Sequence, residues 1–96
     1  MARATWNDTL LAEADPSRIE IVEGNVYFPP DTVQMEHLRP SETHTVCGWK
    51  GTASYYDVVV GDAVNRDAAW YYPETMEAAD HVRGYVAFWH GVAVER

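Results

Sequence analysis

TASYYDVVVGDAVNRDAAWYY, residues 52–72, is the stretch that decides the fold. Its arms, 52–60 and 63–72, are rich in β-branched and aromatic side chains, and they flank Gly61-Asp62, a pair suited to the positive φ of a two-residue hairpin turn. Pairing about that turn sets Val59 opposite Val64, Asp57 opposite Arg66 and Tyr55 opposite Ala68, with Trp70 and Tyr72 further along the same face. The register predicts a cross-strand ion pair between Asp57 and Arg66.

The neighbouring segments repeat this design. Residues 2–6 and 9–14 flank Asn7-Asp8, which tolerates the same turn geometry. Residues 18–23 alternate apolar and charged side chains, Gly24-Asn25 supplies a turn, and 26–28 return until Pro29-Pro30 remove two backbone donors. Asp31 is placed to cap a short helical turn over 32–36, and Pro40 restricts Arg39 and ends it. Residues 41–49 have no clean period and read as an ordered loop or an irregular edge strand. Beyond Pro73-Glu74, residues 75–81 favour about one and a half helical turns. Gly84 ends them, and 85–89 with 92–94 form a closing hairpin over His90-Gly91. The expected fold is mainly β, with antiparallel hairpins forming a curled sheet or small barrel around an aromatic interior and one or two short helical turns. Without linker, repeat or low-complexity segment, residues 1–96 read as one domain.

Fifteen Asp and Glu against seven Lys and Arg give a formal charge of −8. Such a surface repels phosphate backbones and anionic lipids, so neither nucleic acid nor membrane is an expected partner. With no signal-like or membrane-spanning run, the expected location is the cytoplasm. Cys47 is the single cysteine, which excludes an internal disulfide and paired-cysteine zinc binding.

Four stretches occur in a familiar order: Tyr27-Phe28-Pro29, residues 43–53, Asp67-Ala68-Ala69-Trp70-Tyr71-Tyr72-Pro73, and Gly84-Tyr85-Val86-Ala87-Phe88. Over almost its whole length the chain resembles the domain of unknown function 427 family, in the form of a short bacterial member. Cys47, Lys50 and Gly51 match that family's Cys-x-x-Lys-Gly motif. The resemblance implies a compact antiparallel domain similar to β-tent proteins, and a nucleotidyltransferase-like label without an established activity behind it. Zinc-binding β-tent relatives use cysteine pairs that this chain lacks, so the resemblance carries over no metal site and no cofactor.

Several residues have the types that chemistry needs. A thiolate at Cys47 would be favoured by a nearby Lys50 ammonium, although a lone cysteine is more commonly a small buried apolar residue. His44, between Thr43 and Thr45, could act as the base for a nucleophile, and the competing reading is a surface histidine. His37, His81 and His90 lack metal-ligand spacing and read as surface residues or caps. Gly48 and Gly51 flank Trp49-Lys50, so the backbone could approach a ligand while Lys50 contacts its anion. No phosphate-cradling glycine motif is present, and Asp57, Asp62, Asp67 and Glu74 are Mg²⁺ candidates by type alone. Tyr55, Trp70 and Tyr72 could line a concave ligand-binding face, with Trp70, Tyr85 and Phe88 favoured as core.

The leading expectation is a small ligand, anionic or nucleotide-like, bound near the 47–50 loop by Lys50, Trp49, Gly51, Tyr55, Trp70 and Tyr72. The alternatives are a nucleotidyltransferase-like or Cys47 thiol enzyme using His44, and a structural protein-interaction domain. A monomer or weak homodimer is expected.

Overall fold

The computed structural model describes residues 1–96. Asn7 and Asp8, at φ of 51° and 60°, make the expected two-residue turn between β1 (Ala2–Trp6) and β2 (Thr9–Ala14). In the next hairpin, β3 (Glu20–Val22) and β4 (Asn25–Tyr27), the turn falls one residue earlier than expected. Glu23 and Gly24 take the positive φ values, 54° and 80°, which leaves Asn25 in the strand and puts Glu23 at the hairpin tip.

The single helical turn expected over 32–36 is replaced by two 3-10 turns, Pro30–Thr32 and Met35–His37, neither capped by a side chain. Val33 between them is extended because it bridges to Ala12, and the Gln34 amide donates to the Leu11 carbonyl at 2.7 Å. Asp31 therefore serves not as a cap but as the partner of Arg18, which reaches its carboxylate through two hydrogen bonds of 2.8 Å.

β5 (Leu38–Cys47) is the irregular edge strand, with a register shift between Pro40 and His44. It leads to β6 (Gly51–Val60), β7 (Ala63–Tyr71) and, after a 3-10 turn at Glu77–Val82, β8 (Val86–Phe88), in a four-stranded antiparallel sheet of order β5-β6-β7-β8. The expected closing hairpin does not form. His90 and Gly91 do turn the chain, at φ of 53° and 88°, but β9 (Ala93–Glu95) pairs with β1. β8 has β7 on one side and a bridge from Val86 to Phe28 on the other, so no edge is free for a returning strand. The result is three sheets, β2-β1-β9, β3-β4 and β5-β6-β7-β8, rather than one closed barrel. No helix is long and apolar enough to cross a membrane.

The β6–β7 register starts as expected, with Val59 opposite Val64, and then changes. Between the pairs Val58–Asn65 and Tyr56–Ala69, the single residue Asp57 faces Arg66, Asp67 and Ala68, so Tyr55 sits opposite Trp70 instead of Ala68. A slip of two residues preserves the faces, which is why Tyr55 and Trp70 still share one. Asp67 allows the bulge by taking φ of 53°, a conformation Asp tolerates better than most residues. Its amide donates to Asp57 Oδ1 at 2.9 Å, while Arg39 Nη2 on β5 donates to Asp57 Oδ2 at 3.3 Å. The ion pair of Asp57 thus crosses to Arg39, not to Arg66.

The Asp67 carboxylate ties the bulge to β5, accepting from Ser41 Oγ at 2.5 Å and Thr43 Oγ1 at 2.7 Å. The two hydroxyls hold its pKa below the ordinary value of 3.8. Asp31 is held low by Arg18, and Asp80 by Thr75 and Arg83. A carboxyl depressed in the folded state stabilises the fold above its unfolded pKa, and that contribution is lost as pH falls through the folded value. The urea midpoint is therefore expected to be lower at about pH 3 than at about pH 6. Equal midpoints would mean that these contacts do not form in solution.

The hydrophobic interior has two parts. The larger is built from small and aliphatic side chains, including Ala2, Ala4, Leu11, Ala12, Val58, Ala68 and Ala69, with Phe28 and Phe88 as its buried rings. Tyr27, Tyr55, Trp70 and Tyr72 gather with Ala53, Ala79, Val82 and Ala87 in a second cluster, whereas Trp6, Tyr56 and Tyr71 pack against the first. The expected aromatic interior is thus divided between two clusters, and the second of them borders an open cleft.

Candidate functional site

Tyr27 and Phe28 are consecutive in an extended segment, so their side chains point to opposite sides. Phe28 enters the larger core and Tyr27 the second cluster. There Trp70 Nε1 donates to the Tyr27 hydroxyl at 3.2 Å, and the two rings meet edge to face at 6.2 Å. Trp89 lies 5.3 Å from Trp70 and 6.4 Å from Tyr55, centroid to centroid. Its indole N–H donates to the Asp67 carbonyl at 2.5 Å, so the bulge of β7 also fixes this ring. The Tyr55 hydroxyl is hydrogen bonded to Thr45 Oγ1 at 3.0 Å.

Tyr55, Trp70 and Trp89, with Asn25, Lys50 and Tyr72, line an open cleft of about 220 Å³. Lys50 is only 5 % exposed. Its ammonium lies 5.4 Å from the ring centres of both Trp49 and Tyr72, within cation–π range. Nζ donates to Glu23 Oε1 from the tip of the β3–β4 hairpin. Burial alone would lower the Lys50 pKa, but the Glu23 hydrogen bond, with Tyr27 and Tyr72 beside it, more than offsets this and leaves the pKa raised. The amine is therefore charged at neutral pH. Burial pushes the Tyr72 hydroxyl up against the opposing pull of Lys50, and the Lys50 hydrogen bond draws Glu23 down.

Four of the residues singled out in the sequence, Lys50, Tyr55, Trp70 and Tyr72, converge in this cleft, whereas Trp49, 39 % exposed, does not line it and is tied to it only through the Lys50 ammonium beside its ring. Gly51 lines a neighbouring groove with His44, Thr52, Ser54 and the 73–76 segment. Cys47 is half-buried against the aromatic cluster. His44 precedes it by three residues in a stretch of regular pairing, so the two side chains face opposite sides of β5. His44 Nδ1 lies 3.3 Å from Ser54 Oγ instead. Of the four Mg²⁺ candidates, Asp57 and Asp67 come together in the bulge but are already engaged by Arg39, Ser41 and Thr43. No group of three or more His, Cys, Asp or Glu side chains is arranged to hold a metal ion.

Sequence reasoning missed Glu23, Asn25 and Trp89. Trp89 was legible by parity, since Tyr85, Ala87 and Trp89 alternate onto the face that packs against Trp70. Glu23 and Asn25 had no such signal, because their place depends on where the hairpin turns.

The model of the family described as Domain of unknown function (DUF427) matches residues 1–96, so the chain belongs to that family. No curated protein matches it.

Proposed function

We propose that this protein binds a small anionic ligand in the aromatic cleft, with Lys50 as the anion contact and Tyr55, Trp70 and Trp89 packing against the ligand body. The observation that carries this reading is a buried, charged ammonium at the base of an open cleft whose one protein hydrogen-bond acceptor is an exposed turn side chain, Glu23. An ammonium has three donors, so two are free for a ligand. The cleft volume of about 220 Å³ is below the roughly 300–1,000 Å³ of sites for drug-sized ligands, which favours a single-ring compound over a nucleoside triphosphate. A thiol enzyme is less well supported because His44 and Cys47 face apart. A metal-dependent nucleotidyl transferase would need carboxylates other than the occupied pair at the bulge.

Titration of intrinsic tryptophan fluorescence with benzoate, nicotinate, phenyl phosphate and AMP tests the proposal. Saturable binding of at least one is expected, weakened about tenfold or more in Lys50→Met, since a hydrogen bond to a charged group contributes about 1.5–3 kcal/mol. No binding by any of the four, or equal binding by the variant, would overturn it.

A further inference from the structure

From the pairing of Glu23 with Lys50 we infer that Glu23 is a tethered internal competitor for the cleft, and that the ligand it gives way to is a small carboxylate carried on one planar ring. This rests on the reading of the cleft as an anion site and names its ligand class and its regulation. The Lys50 side chain is 6 % exposed, whereas that of Glu23 is 56 % exposed, so the pair has one fixed and one free member. Lys50 is held between Cys47 and Gly51 at the turn into β6, and its carbonyl accepts from the Met76 amide at 3.1 Å. Glu23 sits on a two-residue turn joining strands of three residues each, and its carboxylate has no donor other than Lys50 and the neighbouring Trp49. Rotation of its side chain into solvent breaks no backbone pairing and uncovers the ammonium. Trp70, Trp89 and Tyr55 remain in place because their contacts run to Tyr27, Asp67 and Thr45. The protein thus fills the anion position with its own carboxylate while leaving the ring-lined volume beside it open. The natural replacement repeats the carboxylate and adds the ring. A chain of formal charge −8 also favours one negative charge over the several of a polyphosphate.

The test is benzoate binding to wild type, Glu23→Gln, Lys50→Met and Glu36→Gln, with phenyl phosphate as the second anion and the indole N–H resonances of Trp70 and Trp89 reporting the location. Glu36 is exposed and away from the cleft, so its variant controls for the general loss of one negative charge. Glu23→Gln is expected to bind benzoate about tenfold or more tightly than both wild type and Glu36→Gln, with both indole resonances moving. If Glu23→Gln binds no more tightly than Glu36→Gln while Lys50→Met still loses binding, the competitor role is overturned and the anion site stands. If Glu23→Gln gains affinity for phenyl phosphate but not for benzoate, the carboxylate assignment is overturned. If Lys50→Met binds as well as wild type, the anion site itself is overturned.

Discussion

Phe28→Ala is expected to destabilise the fold by about 3–5 kcal/mol, the range for removing a large buried aromatic side chain. Phe28 has no solvent exposure and meets Phe88 edge to face at 5.9 Å. Around it, Ala2, Ala4, Ala12, Ala14, Ala68 and Ala69 make up much of the larger core. Alanines have no side-chain freedom with which to fill a hole, so little of the lost volume can be recovered by repacking. A domain of this size has about 5–14 kcal/mol of total stability, so the variant should be near the limit of folding. Its Tm should fall by at least about 12 °C. Urea denaturation followed by circular dichroism measures the loss, and a value under about 1 kcal/mol would mean that the ring is not enclosed as described.

Gly51→Ala should give the second large effect, and for a different reason. Gly51 has φ of 120°, and a Cβ there would lie 2.9 Å from the Glu74 carbonyl oxygen and 3.7 Å from Thr75 Cα. Both obstacles are backbone, held across Lys50-Gly51 by the Met76 hydrogen bond, so they cannot rotate away. The combined strain is of order 1–3 kcal/mol. Because Lys50 is the preceding residue, relief of the clash should also move its ammonium and weaken anion binding. Gly48→Ala, three residues earlier, meets nothing within 4 Å and should stay within about 0.5 kcal/mol of wild type. Equal stabilities for the two variants would show that the 73–76 segment does not press on Gly51.

What the sequence made legible, and what it did not, follows from the range of the interactions concerned. Asn7-Asp8 and Gly61-Asp62 mark turns through local backbone preference, so the flanking strands could be read directly. The Asp57 bulge could not be. It depends on Asp67 adopting a left-handed conformation and on hydroxyls from β5 meeting its carboxylate, contacts 24 and 26 residues apart. The only local hint was the polar run Asn65-Arg66-Asp67 interrupting the strand. The fate of residues 92–94 was likewise decided elsewhere, by Phe28 occupying the far side of β8. Tyr55, Trp70 and Tyr72 were placed together in spite of the register error because a two-residue slip leaves the faces unchanged. Cys47 and His44 were grouped by proximity along the chain, and the extended geometry of β5 separates them. The Glu23–Lys50 contact spans 27 residues and rests on a turn that shifted by one.

The back-to-back arrangement of Tyr27 and Phe28 also bears on how the molecule would respond to an occupant. One short piece of backbone supports both the floor of the binding face and the centre of the main packing, so the two cannot loosen independently. An occupant resting against Trp70, whose indole is hydrogen bonded to Tyr27, should therefore slow amide exchange as far away as Ala4 and Ala12, in strands that it never touches.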